Sequence, residues 1–212
     1  MLPALTMILA ASPPDPALLE KLGAQAQSME SLWNSTACTI DVDAEEQDGA
    51  GKVTKTVKTS LRVARDGKNV TRKLISHQED GKDLTEAKRK EIEGKEGSKV
   101  SKSPFHPDEQ KKYRFDQKDP THITFEPLGS KTEDNLIGEA TIDPDTQTVK
   151  ALDMHPAKFP MFVQELGIRV EFDANTSNGK GMSALNIKGL AGALFFKKRF
   201  VVKTRFSDYA AP

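Results

Sequence analysis

Four histidines, a nearby pair of aspartates and a single cysteine are the residues from which an active site would have to be assembled in this chain. His77, His106, His122 and His155 lie too far apart for the close spacings of a metal motif, and proline follows two of them, so they read as loop or surface histidines. Asp41 and Asp43 share the parity of one strand and would make a carboxylate pair for acid–base work. They alternate with Ile40 and Val42, however, and solvent is their expected surrounding. Cys38 stands alone, which excludes an intramolecular disulfide and a cysteine-based zinc site. No Gly-x-Ser-x-Gly elbow, P-loop or dinucleotide fingerprint occurs. Asn34-Ser-Thr, Asn69-Val-Thr and Asn175-Thr-Ser are formal sequons that matter only in a eukaryotic secretory pathway. The expectation is therefore no enzyme, no metal and no cofactor.

The closing stretch GLAGALFFKKRFVVKTRFSDYAAP, residues 189–212, carries Lys197, Lys198, Arg199, Lys203 and Arg205 among apolar residues. Split by parity, even positions hold Leu194, Phe196, Phe200, Val202 and Phe206, whereas most of the cations fall on odd positions. That is a half-buried strand rather than a nucleic-acid patch, and the chain's 31 basic and 31 acidic residues supply no global field for nucleic acid. Lys198 breaks the alternation by falling on the apolar side. A bulge, a place near the rim of the sheet, or a cation facing a cavity would each account for it.

Elements that would hold such a strand follow from periodicity. Pro16 to Trp33 repeats apolar residues every three or four positions, the pattern of one amphipathic helix. Alternation then marks strands at 38–44, at 53–63 and more weakly at 70–77, separated by the turn-rich EEQDGAG and RDGKN. Residues 78–112 are mostly charged with both signs interleaved, and read as a solvated, mobile insertion with at most one short helix at 84–92. Strand patterns resume at Tyr113 and Phe115, at Ile123 and Phe125, and in a hairpin turning at 143–146. A proline-punctuated crossover with one helical turn, the alternation of Ile168, Val170 and Phe172, and a last hairpin turning around Gly189 and Gly192 complete the chain.

Hydrophobic residues make up 36% of the sequence and aromatics 6%, enough to cover one face of one sheet but thin for a two-sheet sandwich. One helix about 10 Å wide cannot cover eight or more strands spaced about 4.8 Å apart. Such a sheet is expected to curl, with part of its apolar face left for a ligand. The fold class is therefore α+β, mostly antiparallel: a strongly curved, unclosed β-barrel with the N-terminal helix in its concave face. MLPALTMILAAS, residues 1–12, has the apolar run and small residues of a secretory signal without its basic start, and residues 13–212 read as one domain. No later stretch reaches the length of a membrane span.

This order of elements resembles the LolA/LolB superfamily of periplasmic lipoprotein carriers. The matching segments are DPALLEKLGAQAQSMESLW, the long meander, GEATIDPDTQTVKAL and IKGLAGALFFKKRFVVKTRFSDY. The resemblance implies a half-barrel whose hydrophobic cavity takes a lipid or the acyl chains of a lipoprotein, in a soluble periplasmic monomer acting as carrier or chaperone. It also implies a lid-latching arginine in an early strand, and Arg65 and Arg72 lie in that region. Met29, Leu32, Trp33, Val57, Leu61, Phe115, Phe125, Phe172, Phe196 and Phe200 are the expected cavity lining, with Lys198 as a head-group contact. The alternative is a non-enzymatic interaction or sensor protein that uses the same scaffold to bind another envelope protein.

Overall fold

The computed structural model describes residues 12–95, 102–177, 179–193 and 196–212, with the side chains of Ala193 and Phe196 excepted. Apart from Ser12, the signal-like segment lies outside the described residues.

A helix, α1 (Pro16–Asn34), begins where Asp15 caps it, its Oδ1 accepting the Ala17 amide at 2.9 Å, with Pro16 in the first turn. The chain then enters β1 (Ala37–Gln47), β2 (Val53–Asp66), β3 (Asn69–Glu79) and the two-residue β4 (Lys82–Asp83). Two short helices, α2 (Thr85–Glu93) and α3 (Pro107–Gln110), precede β5 (Tyr113–Asp119), β6 (His122–Pro127), β7 (Leu136–Asp143), β8 (Thr148–Pro156) and β9 (Val163–Glu171). A small hairpin, β10 (Ala174–Thr176) and β11 (Gly179–Gly181), leads to β12 (Ala184–Ala193) and β13 (Phe196–Ala210).

Eleven strands form one sheet in the order β4-β3-β2-β1-β13-β12-β9-β8-β7-β6-β5. Every pairing is antiparallel, and its ends, β4 and β5, do not pair, so the barrel is open. Both edges are blunted, as an unpaired strand edge must be. On β3, the Glu93 carboxylate accepts the Leu74 amide, and the Arg89 guanidinium and the Leu84 amide donate to the carbonyls of Leu74 and His77. On β5, Ser12 makes an isolated bridge to Gln117.

Register sorts the side chains into an apolar inner face and a charged outer one. Ile40 stands opposite Leu61 and Phe206, Ala44 opposite Val57 and Val202, Ile187 opposite Val202 and Ile168, and Leu152 opposite Val170 and Ala140. On the outer face Arg169 pairs with Asp153 and with Glu171, Lys118 with Glu139, and Arg114 with Asp116 and Glu126. The core sits where α1 meets the inner face of β5–β9: Leu18 and Leu22 pack with Phe105, Phe115, Ile123, Phe125, Ala140, Ile142, Val149, Leu152 and Val170.

Phe105 corrects the reading of 78–112 as a solvated insertion. Its ring is 0% exposed and lies 5.0 Å from that of Phe115 and 5.8 Å from that of Phe125. Pro104 and His106 beside it are also buried, so the C-terminal part of that stretch is core. A single aromatic among charges has no period of its own, and its burial is decided by the sheet it meets. The last hairpin differs as well: Gly189 and Gly192 lie inside β12, paired with Phe200 and Lys197 of β13. No helical turn occurs between β8 and β9, and the loop expected at 173–181 contains the β10–β11 hairpin.

Candidate functional site

Two glycines show how the inner face divides. A Cβ on Gly138 would meet the Asp153 carbonyl oxygen at 2.2 Å and the Phe125 ring at 2.8 Å, so the Phe125 ring lies across Gly138 on the neighbouring strand. A Cβ on Gly189 would meet the Phe200 ring at 2.1 Å, the same device two strands beyond the helix. The difference is what lies above. Phe125 is covered by Phe105, Tyr113 and Phe115, whereas Phe200 is only half-buried.

Around Phe200 the inner face is an open trough. Ile40, Val42, Ala44, Val57, Leu61, Ile187 and Val202 are all partly exposed, on β1, β2, β12 and β13, and none packs into the helix-covered cluster. Polar groups bound it. At its mouth the Lys198 ammonium donates to Glu46 Oε1. Along β3, His77 Nδ1 shares a 2.8 Å hydrogen bond with Thr59 Oγ1, its Nε2 lies 3.2 Å from Glu79, and Lys55 pairs with Glu79 at 3.0 Å. The Lys55 and His77 hydrogen bonds hold the Glu79 carboxyl below its ordinary pKa.

Thr59, His77 and Glu79 have the hydroxyl–imidazole–carboxylate order of a nucleophilic triad. These hydrogen bonds run from β3 to β2. Acyl transfer would also need amide donors aimed at an oxyanion beside Thr59, where the β2–β3 register shifts between Ser60 and Leu61. Among the described residues no three side chains suited to metal binding converge.

The C-terminal end of α1 closes the other end of the trough. Leu32 is buried there, Trp33 meets the Phe206 ring edge-on at 5.8 Å, and the Arg65 guanidinium stacks 3.9 Å from the centre of the Trp33 ring. Of the two arginines the resemblance singled out, Arg65 is the one against the helix; Arg72 donates to the Lys95 carbonyl. Burial lowers the pKa of Arg65 and raises those of Cys38 and Tyr209 nearby, and the Tyr209 hydroxyl donates to the Met182 carbonyl at 2.6 Å.

The expected lining residues therefore fall into four groups. Val57, Leu61 and Phe200 line the trough, while Leu32 and Trp33 form its closed end, with Met29 half-buried on the same helix. Phe105 and α1 bury Phe125; Phe115 lies in the same cluster and borders a separate open cleft of about 490 Å³ with Pro14, Leu19, Pro107 and Tyr113, and Phe172 packs against that cluster. The side chain of Phe196 lies outside the described residues. Ile40, Val42, Ala44, Ile187 and Val202 were not expected here, although their alternation had already placed Ile40, Val42 and Ala44 on one face. Lys198 causes no kink, since β12 and β13 keep an unbroken register past it. His77 and His106 are buried rather than loop or surface residues, because each ring has partners at both nitrogens; His106 reaches Glu30 at 2.9 Å and caps α3.

No protein-family profile matches the sequence, and no curated protein matches it. Among solved structures the chain is similar to a LolA superfamily protein from Nitrosomonas europaea, at 8% identity and a TM-score of 0.40 over 92% of each chain. A DUF1329 family protein from Desulfovibrio piger is similar at 12% identity and a TM-score of 0.40, over 94% of each chain. An S-type phycobiliprotein lyase from Guillardia theta is similar at 7% identity and a TM-score of 0.32, over 92% of this chain and 99% of that one. Likenesses this loose carry no activity across, and what the trough does rests on its own residues. Among the described residues no helix is long and apolar enough to cross a membrane.

Proposed function

We propose that this chain binds a lipid, or the acyl chains of a lipoprotein, in the trough over β1, β2, β12 and β13, and acts without catalysis as a soluble carrier or chaperone in the bacterial envelope. The observation that supports it is a partly exposed apolar strip of Ile40, Val42, Ala44, Val57, Leu61, Ile187, Phe200 and Val202 that, among the described residues, lies outside the helix-covered cluster. The driving force is desolvation. Each methylene moved from water onto such a surface contributes up to about 0.8 kcal/mol, so one long acyl chain needs few polar contacts. Glu46 and Lys198 stand at the mouth, where a polar head group would remain in water.

Titration of delipidated protein with a fluorescent fatty acid, together with lipid extraction of the natively purified protein, tests this reading. Saturable binding and a co-purifying lipid are the expected results. Neither signal, from folded protein, would sink it.

A further inference from the structure

One row of the inner face is not apolar. Crossing from β1 to β3 it reads Val42, Thr59, His77. Thr59 is partly exposed and shares its face with Val57 and Leu61, the trough residues before and after it on β2. His77 beside it is only 6% exposed. A hydroxyl among apolar residues is the point where a ligand can be held by direction as well as by desolvation.

The hydrogen bonds of His77 decide what that hydroxyl offers. Lys55 Nζ lies 3.0 Å from Glu79, and the Lys55 and His77 hydrogen bonds hold the Glu79 carboxyl below its ordinary pKa, so Glu79 is an acceptor only. His77 Nε2, 3.2 Å from Glu79 Oε1, then carries a hydrogen, and in the neutral ring Nδ1 keeps a lone pair. Thr59 Oγ1, 2.8 Å away, gives its hydrogen to that lone pair and turns only lone pairs to the trough. A proton on the ring reverses the bond. Nδ1–H now donates to Thr59 Oγ1, and the hydroxyl hydrogen is released to the trough, since Thr59 makes no second side-chain hydrogen bond among the described residues. The backbone of His77 is fixed in both states, its amide donating to Thr85 Oγ1 and its carbonyl accepting the Leu84 amide, each at 2.9 Å. The charged groups around the ring are Glu79 on its own strand, Lys55 on β2, Asp83 on β4, which accepts the Thr85 amide, and Lys88 on α2, whose charge reaches Glu79. From β1 the row receives the uncharged Val42.

We infer that Thr59 is a specificity-determining contact for the ester carbonyl of an esterified acyl chain, made when His77 is protonated and withdrawn when it is neutral. An ester offers acceptors only, so the neutral ring sets lone pairs against lone pairs, whereas the protonated ring supplies a donor. A fatty alcohol brings both a donor and an acceptor and is held in either state. The inference rests on the carrier reading, because it names the chemistry of the ligand in that same trough. Acid then favours capture of the ester, and neutral pH favours its release.

Displacement of diphenylhexatriene, a fluorescent hydrocarbon without polar atoms, by methyl oleate and by oleyl alcohol tests it at about pH 5.5 and about pH 8, on either side of histidine titration. Methyl oleate is expected to bind about three- to tenfold more tightly at the lower pH, the gain from one hydrogen bond, and oleyl alcohol equally at both. Thr59→Val keeps the shape of the side chain, and His77→Gln keeps a neutral polar group on β3. Each variant is expected to keep the thermal midpoint and the diphenylhexatriene affinity of the wild type and to lose the pH dependence. An ester affinity that changes with pH no more than the alcohol's, or a pH dependence retained in Thr59→Val, would overturn the inference and leave the carrier reading standing. Diphenylhexatriene that binds at neither pH would remove the carrier reading and the inference with it.

Discussion

The two halves of the inner face are built alike and finished differently. On both, an aromatic ring lies over a glycine of the next strand, Phe125 over Gly138 and Phe200 over Gly189. Over β5–β9 the surface is sealed by Leu18, Leu22 and Phe105; over β1, β2, β12 and β13 the aliphatic strip stays partly open. The first half is where the fold gains stability. The second half keeps apolar area that a ligand can still take from water.

The sharpest way to break this contrast is to remove one ring from each half. Phe105→Ala opens a cavity in a fully buried site and is expected to cost about 3–5 kcal/mol, read from urea unfolding. Phe200→Ala, half-exposed, is expected to cost well under half of that while weakening fatty-acid binding. Equal losses would mean that the two halves are equally filled.

The glycines give a finer version. Gly138→Ala drives a methyl against the Asp153 backbone oxygen, which cannot move aside, and overpacking of this kind costs about 1–3 kcal/mol or more. Gly189→Ala meets only the Phe200 ring, which has open space to turn into, so a smaller loss of stability is expected, accompanied by altered probe affinity as the ring blocks the trough. Thermal midpoints of the two variants, measured side by side, check the order.

At the closed end, Arg65→Met removes the cation stacked on Trp33 and keeps most of its length. A loss of about 1 kcal/mol is expected, together with a change in Trp33 fluorescence that reports loosening of the helix end.

The smallest effect concerns pH. Asp143 holds the β7–β8 turn beneath the sealed half, and the Lys150 ammonium and the amides of Thr146 and Asp145 push its pKa down to about 2. A carboxyl depressed in the fold stabilises fully above its unfolded pKa of about 3.9, and that contribution is lost as pH falls towards 2. Asp143→Asn should therefore flatten the acid limb of the stability profile below about pH 4 and leave its shape near neutrality unchanged.

How much of this was legible in the sequence depends on the range of the interaction that decides each feature. Period alone sets α1 and most strands, since the Asp15-Pro16 start and the alternation of Ile40, Val42 and Ala44 act within a few residues. Phe105 was not legible, because its burial depends on Phe115 and Phe125, which the fold brings against it from β5 and β6. Gly189 misled for a related reason: a glycine that makes room for a ring on the partner strand looks, in sequence, like a glycine that makes a turn. The same gap put Phe115, Phe125 and Phe200 in one lining, since parity assigns a face but not what covers it.

A photoactivatable fatty acid, crosslinked to the folded protein and mapped by peptide mass spectrometry, tests the central contrast most directly. Crosslinks on the β2 segment from Val57 to Leu61 and the β13 segment from Phe200 to Val202 are the predicted result. Crosslinks confined to β5–β8, or none at concentrations where the probe binds, would contradict it.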